Sequence, residues 1–249
     1  MKSGSILFIF RVCCFLLLSP INTISAQNTV SENSFYLQTL TNARVLYHQS
    51  FGGQSALYNG KEYEDYFFGF EKGQPFFYSA QPGMGSIIYD GVRYDSILMR
   101  YDEIKDAVVV NHFTDRIQLS NEKVRGFNLY NSTFILLIKD SLSSSLVSSG
   151  FYNLLYEGKV SLLKKEIKTL KEITTSTAEL LRIIEQKDYY YIKKEDMLYP
   201  IKSKKNLLEI FGDKKKEVQK FISANGLNFR KDPQNMLAKT TAYYDSLKK

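Results

Sequence analysis

Five acidic residues lie close together in one stretch, and such acids could either hydrolyse a glycosidic bond or bind calcium. They are Asp90, Asp95, Asp102, Glu103 and Asp106. A glycosidase keeps one carboxyl protonated beside an ionised one, and nothing in the sequence shows such pairing. A calcium loop alternates oxygen ligands around a central glycine, which this stretch lacks. We therefore interpret the acids as turn and strand-edge residues, with a hydrolase of envelope polymers as a minor alternative.

The other residues that could take part in catalysis or ligand binding do not form a recognisable site in the sequence. The two histidines, His48 and His112, have no partner histidine at helical or hairpin spacing, which argues against a histidine-based zinc site. The G-x-S-x-G elbow of hydrolases is absent. The stretch QPGMGS (81–86) contains G-x-G, but a strand and not a helix follows, so it predicts a turn and not a phosphate loop. The sequence assigns no catalytic, metal or cofactor residue, leaves ligand-binding residues unknown, and favours a protein that is not an enzyme.

The first 26 residues have the three-part pattern of a secretory signal peptide. Lys2 gives a positive start, an apolar run follows at 6–18, and Ala26 precedes the predicted cut. Arg11 and Ile24 depart from the pattern. Export to the periplasm, the cell envelope or the extracellular space is the expectation. No later segment is apolar enough to span a membrane, so the chain is not expected to be transmembrane after signal removal.

Both cysteines, Cys13 and Cys14, lie inside the predicted signal peptide. They occupy the middle of the apolar run and do not follow small residues at its end, so a lipid anchor is not expected. A cysteine-free mature chain excludes disulfides, thiolate nucleophiles and cysteine-ligated metals. Residues 27–249 must then be held together by their own core.

The elements that would position any site are mainly strands. From residue 57 onward, short apolar or alternating runs such as SIIY and TFILLI are separated by turn-rich stretches. These runs predict an antiparallel meander, since the spacing is too short for crossover helices. Residues 188–203 predict a hairpin, and the serine-rich stretch 139–150 predicts a loop. Residues 35–49 and 174–186 remain ambiguous.

Three Tyr-x-Gly triplets could be binding repeats or turns. Their unequal spacing excludes a solenoid. Asn59-Gly60 and Asp90-Gly91 are dipeptides suited to type I′ hairpins, which need two positive φ angles. Glu157-Gly158 predicts a longer loop with Gly158 alone in the left-handed region.

The C-terminal residues 203–249 change to a helical pattern. Ser203 and Asp213 are predicted helix caps, Asp232-Pro233 a helix start, and Gly226 a helix stop. The predicted class is α+β, a curved antiparallel β-meander with a short C-terminal helical segment packed on it. The predicted parts are a signal peptide (1–26), a β-rich domain (27–202) and a basic helical segment (203–249).

Charge is divided unevenly along the chain. Residues 27–158 hold 10 Lys and Arg against 14 Asp and Glu, whereas 159–249 hold 21 against 12. We interpret the basic excess as the solvated face of docked helices, with contact to an anionic surface as the alternative. Nucleic acid is excluded as a partner by the predicted export.

Acceptor tripeptides for glycosylation occur as NST (131–133), DSI (95–97) and DSL (140–142, 245–247).

Three stretches resemble a group of uncharacterised exported proteins of Gram-negative envelope bacteria. They are YDGVRYDSILMRYD (89–102), GFYNLLYEGKVSLLKK (150–165) and the ending from 214 to 247. The resemblance implies export and an envelope setting, and it carries no residue roles. We therefore expect a non-catalytic binding or scaffolding protein with an unknown envelope partner or ligand. The alternative is a carrier that encloses an apolar ligand, with Phe67, Phe68, Phe76 and Phe77 lining the cavity.

Overall fold

The structure is a computed structural model that describes residues 35–36, 38–40, 42–43, 46, 56–139, 148–176, 178–195 and 197–247. The predicted signal peptide, both cysteines, His48 and the acceptor at 140–142 lie outside these residues, as does most of the predicted serine-rich loop. The chain divides into a unit up to Asn42, whose described residues are helical, and a second unit from Ala43 onward.

Eleven antiparallel strands form one sheet in the second unit. They are β1 (Lys61–Glu62), β2 (Gly83–Tyr89), β3 (Val92–Asp102), β4 (Ala107–His112), β5 (Asp115–Gln118), β6 (Val124–Leu129), β7 (Ser132–Leu137), β8 (Gly150–Tyr156), β9 (Val160–Thr174), β10 (Leu180–Lys194) and β11 (Met197–Ile201).

The strands follow the order β1-β5-β4-β3-β2-β6-β7-β8-β9-β10-β11. Successive hairpins run outward from β2 to β5, then β6 returns to pair with the other side of β2, and the meander continues to β11. The sheet is open, because β1 and β11 are its two edges. This confirms the predicted antiparallel meander. Of the ambiguous stretch 174–186, Thr174 ends β9 and residues 180–186 belong to β10, which pairs with β9 along its whole length.

Hairpin geometry confirms one predicted turn and corrects three others. Asp90 and Gly91 have φ of 50° and 78°, as a type I′ turn requires. Asn59 and Gly60 have no positive φ, because they follow a 3-10 turn (Ala56–Tyr58) that leads into β1, which pairs with β5.

Gly158 also has no positive φ. Its missing side chain instead leaves room for the Asp245 carboxylate, so packing and not backbone freedom requires glycine there. Residues 83–86 of the predicted QPGMGS turn lie within β2. The reason is that glycine at 85 lets the sheet place the Asn128 carbonyl against the β2 backbone.

The sheet curls strongly. Four strands separate β3 from β9, so a flat sheet would hold them roughly 24 Å apart. Instead Lys168 Nζ on β9 lies 2.9 Å from Glu103 Oε2 in the turn after β3, and Lys165 Nζ lies 2.8 Å from Asp106 Oδ2. Curvature of this kind brings together residues that are distant in both sequence and sheet order.

An aromatic core fills the inside of the curve. Tyr101, Phe127, Phe134 and Phe151 lie on four different strands and contact one another with ring centroids 4.6–5.8 Å apart. All four are at most 3% exposed. Burying such large side chains supplies the main stabilisation of the described residues, which contain no cysteine.

Three helices cover the other end of the sheet, as predicted. They are α1 (Lys204–Ile210), α2 (Lys215–Ala224) and α3 (Pro233–Ser246). Their buried residues pack against β9, β10 and β11 in a second core that includes Leu162, Ile192, Leu207, Phe211, Val218, Ile222, Leu237 and Tyr244. No helix among the described residues has the length and apolar character to cross a membrane.

The predicted helix boundaries are confirmed except for the N-cap of α2. Ser203 Oγ accepts from the Asn206 N–H at 3.1 Å, and Asp232 accepts from the Asn235 N–H at 3.1 Å. Gly226 has the expected positive φ of 59°. Asp213 does not cap α2, because its carboxylate instead accepts a 2.9 Å hydrogen bond from the Tyr244 hydroxyl and so ties the helices together.

Candidate functional site

A short segment, residues 71–77, connects β10 with β3 of the curved sheet; we call it the bridging segment. At one end Ile184 donates its N–H to the Lys72 carbonyl at 2.8 Å. At the other end Phe77 donates to the Tyr101 carbonyl at 2.8 Å, and Glu103 donates to the Pro75 carbonyl at 3.0 Å. The segment thus spans from β10 to β3 through backbone hydrogen bonds.

A cleft of about 360 Å³ lies between the bridging segment and strands β9 and β10. This volume is at the small end of the range for ligand pockets. Its walls combine two aromatic rings, two amides and two opposite charges. The lining residues are Gly73, Gln74, Phe77, Tyr78, Glu166, Lys168, Ile184 and Gln186.

A buried ionic cluster forms the floor of the cleft. Lys168 Nζ donates to the Phe76 carbonyl at 2.6 Å and pairs with Glu103 Oε2 at 2.9 Å. Burial, and after it the neighbouring Glu166 carboxyl, raises the pKa of the Glu103 carboxyl to about 8, although Lys168 opposes the shift. Glu103 is therefore mainly protonated at neutral pH, which leaves Glu166 and Lys168 as one balanced pair of charges.

A second lysine holds Glu166 from the other side. Lys164 Nζ pairs with Glu166 and lies 2.9 Å from Asp188 Oδ2 on β10. Burial lowers the pKa of Lys164, but Glu166 and Asp188 together raise it above its usual value. Glu166 thus lies between a carboxyl whose pKa is raised and a lysine whose pKa is raised, and its side chain is only 12% exposed.

Tyr78 stands at the rim of the cleft in a strained turn. Its φ is +57°, and the Ser79 N–H donates to the Phe77 carbonyl at 2.6 Å across it. This three-residue turn with positive φ is rare and costly for a bulky residue. The side chain is nevertheless 76% exposed, so burial does not compensate for the strain. The Tyr130 ring lies beside it, with centroids 4.9 Å apart.

The acids singled out in the sequence meet only in part. Asp102 is fully buried and accepts from the Tyr63 and Tyr66 hydroxyls and from the Ile104 and Lys105 N–H groups at 2.8–3.0 Å. These four donors occupy the carboxylate and fix the β3–β4 turn.

Asp106, in the same turn, accepts from the Tyr101 hydroxyl at 2.5 Å and from Lys165. Asp95 pairs with Arg93 on an exposed face, and Asp90 lies in the β2–β3 turn. Of the five acids, only Glu103 adjoins the floor of the cleft. Among the described residues no group of three His, Cys, Asp or Glu side chains could hold a metal ion.

The four phenylalanines of the carrier hypothesis point in different directions. Phe67 is 94% exposed, whereas Phe76 is buried against Tyr63 and Val109. Phe68 packs on Phe70, and Phe77 alone lines the cleft.

His112 ends β4 and stacks on Tyr58, with ring centroids 4.0 Å apart. At the described glycosylation acceptors, the side chains of Asn131, Ser96 and Ser246 are exposed.

Sequence reasoning missed the cleft residues Gln74, Tyr78, Glu166 and Lys168. The available signal was the stretch LLKKEIKTLKE (162–172), which places charged residues on both faces of a strand. A strand that buries lysines must find counter-charges elsewhere in the fold. The partner of Lys168, Glu103, lies 65 positions earlier. The sequence therefore indicates that the buried lysines need counter-charges but does not identify the residues that supply them.

Comparison with known proteins adds no family to this geometry. The chain shows no significant similarity to any protein-family model, curated protein or solved structure.

Proposed function

We propose that the chain is an exported, non-catalytic binding or scaffolding protein of the bacterial periplasm or cell envelope, and that the cleft is where it binds its ligand. One observation carries the proposal. At the rim of the cleft the fold holds an exposed Tyr78 in a strained turn, without any burial that would compensate for it. Backbone strain of this kind concentrates at functional sites.

The ionic cluster supports binding more than hydrolysis. Glycosidases hold their two carboxyl groups about 5–9.5 Å apart so that the substrate and water fit between them. Glu166 is instead near enough to raise the pKa of Glu103, and each of the two carboxyls also faces a lysine. Such an arrangement fixes the floor of the cleft and places a lysine ammonium beside each of these two carboxyls, which favours a structural role for them.

A pull-down from envelope extracts tests the proposal. The wild-type chain should retain a ligand or partner that is lost in Gln186→Arg, because the longer charged side chain enters the cleft. Thr169→Arg adds the same charge to an exposed β9 position outside the cleft lining and should retain it. Recovery of nothing by the wild-type chain, or equal recovery by both variants, would contradict the proposal.

The carrier of an apolar ligand has weaker support. Its four phenylalanines do not surround one cavity, and the cleft is lined about equally by polar and apolar groups. Native mass spectrometry of the purified chain separates the two hypotheses. A co-purified lipid would favour the carrier, whereas a clean mass of the chain alone would count against it.

A groove on the C-terminal segment favours contact with an anionic surface as a second role. It has a volume of about 620 Å³ and is lined by Lys202, Lys204, Lys205 and Arg230, with no acidic residue in its lining. Clustered cations attract anionic membranes at low salt. Vesicles containing phosphatidylglycerol should bind the chain, vesicles of phosphatidylcholine should not, and Lys204→Glu with Lys205→Glu should abolish the difference.

A further inference from the structure

The proposed cleft also indicates the chemical class of its ligand, and this inference rests on the proposed binding function. We infer that the cleft binds a neutral saccharide, with one face of a sugar ring stacked on Tyr78 and its hydroxyl groups bonded to the amides and the acid on the walls. Three features of the cleft lead to this assignment: its charge balance, its exposed aromatic ring and its polar groups.

The charge balance selects a neutral ligand. Glu166 and Lys168 contribute one negative and one positive charge, so the lining has no net charge. Glu166 already pairs with Lys164, and Lys168 already donates to the Phe76 carbonyl and lies beside Glu103. An anion would meet Glu166, and a cation would meet Lys168, without a free counter-charge in the lining. A neutral ligand avoids both repulsions and requires no additional charged group to lose its water.

The aromatic ring selects a ligand with a flat, weakly apolar face. Tyr78 is 76% exposed, and the hydrogen bond across its turn, from the Ser79 N–H to the Phe77 carbonyl, fixes the backbone at the rim. Phe77, by contrast, packs edge-on against Phe134, with centroids 4.9 Å apart. The C–H face of a pyranose ring packs against the negative face of such an aromatic ring, much as a cation does.

The polar groups select a ligand with several hydroxyls. Gln74 lies in the cleft lining, and its buried Oε1 accepts no hydrogen bond from any described residue, so a small rotation of the side chain would present this acceptor to a ligand. Gln186 donates to Asp188 at 3.0 Å and thereby has its amide oriented. Hydroxyl groups both donate and accept, so adjacent sugar hydroxyls can bond Gln74, Gln186 and Glu166 together. A purely apolar ligand would leave Gln74 without a partner, which is costly.

Titration calorimetry and saturation-transfer NMR with defined probes test this assignment. The probes are four neutral oligosaccharides: maltotetraose, cellotetraose, tetra-N-acetylchitotetraose and mannotetraose. At least one should bind with a Kd of about 1 mM or tighter. Tyr78→Ala should weaken that binding at least about tenfold, whereas Tyr78→Phe should retain it, because the ring and not the hydroxyl makes the contact.

Phe113→Ala is the matched control. Phe113 also has a positive φ, 53°, and is 91% exposed, but it lies outside the cleft lining. Its removal should leave saccharide binding unchanged. Equal losses in Tyr78→Ala and Phe113→Ala would overturn the assignment, as would the absence of binding to all four probes.

The failure of this inference can be told apart from failure of the proposed function. If no saccharide binds but the envelope pull-down still retains a partner that Gln186→Arg loses, the ligand class is wrong and the binding function stands. If the pull-down also retains nothing, both are overturned.

Discussion

Lys168 on β9 lies 2.9 Å from Glu103 in the turn after β3, and its ammonium also donates to the Phe76 carbonyl. This contact joins three parts of the chain that the strand order keeps apart: the far end of the sheet, the β3–β4 turn and the bridging segment. The same contact forms the floor of the cleft, so the stability of the curved sheet and the shape of the proposed binding site depend on one lysine.

Replacing that lysine should be costly. Lys168→Met leaves the Phe76 carbonyl without its donor and removes the ammonium beside the Glu103 carboxyl, so the free energy of unfolding should fall by about 2–3 kcal/mol at neutral pH. Urea denaturation measures the loss. Lys171→Met is the control, because Lys171 is on the same strand with a half-exposed partner, Glu185, and should lose less than about 0.5 kcal/mol. Equal losses would contradict the role of Lys168.

Glu103 should make stability fall as pH rises. The pKa of Glu103 increases from 4.5 to about 8 on folding, mainly through burial. Between these values the folded chain holds a proton that the unfolded chain releases. Stability from this group is therefore complete below about pH 4.5 and is lost progressively up to about pH 8, at no more than about 1.4 kcal/mol per pH unit.

Glu103→Gln isolates this effect. Since glutamine cannot ionise, the variant should gain stability relative to wild type as the pH rises from about 5 to about 8, as followed by urea denaturation across that range. The unfolding free energy of Asp95→Asn, a change at an exposed position, should depend on pH in the same way as that of the wild type. A constant difference between Glu103→Gln and wild type would show that Glu103 ionises normally.

The strained backbone at Tyr78 should lower the stability of the fold while it keeps the ring in place for binding. Tyr78→Gly removes the positive-φ strain and sacrifices little burial, so thermal or urea denaturation should show a gain of about 1 kcal/mol. Tyr78→Ala keeps a side chain at the same φ and should show no such gain. A destabilised Tyr78→Gly variant would mean that the turn is not strained.

Asp102 should be a structural acid. Four donors converge on its carboxylate inside the protein, and an asparagine amide would turn its own N–H groups toward them. Asp102→Asn should therefore lose about 2–3 kcal/mol of unfolding free energy. Asp115→Asn, on the exposed β5, should change it by less than about 0.5 kcal/mol. A neutral Asp102→Asn would reopen a functional role for this acid.

Gly91 should matter for folding and not for the cleft. Its φ of 78° strains any other residue, so Gly91→Ala should cost about 1–2 kcal/mol in urea denaturation. Gly212→Ala is the control, since that glycine has no positive φ and nothing within 4 Å of an added Cβ. Binding in the cleft should be unchanged in both. A loss of binding with normal stability in Gly91→Ala would restore the Tyr-x-Gly triplets as binding elements.

The sequence by itself determined the class of the fold, because that class follows from local rules. Alternating apolar runs, the Asp90-Gly91 turn and the Ser203 and Asp232 caps each act over a few residues. They were enough to predict an antiparallel meander that ends in packed helices. Local rules failed where a distant partner intervened: Asp213 bonds Tyr244 instead of capping a helix, and Gly158 makes room for Asp245.

The tertiary structure alone decided the site. Gln74 and Tyr78 come from one connection, Glu166 and Lys168 from β9, and Gln186 from β10, and only the curl of the sheet brings them to one cleft. Curl accumulates from small twists across many strands and is fixed by contacts such as the pair between Glu103 and Lys168. No pattern within a single stretch of sequence encodes this curl. The sequence therefore predicts where the strands lie but not which distant strands come into contact.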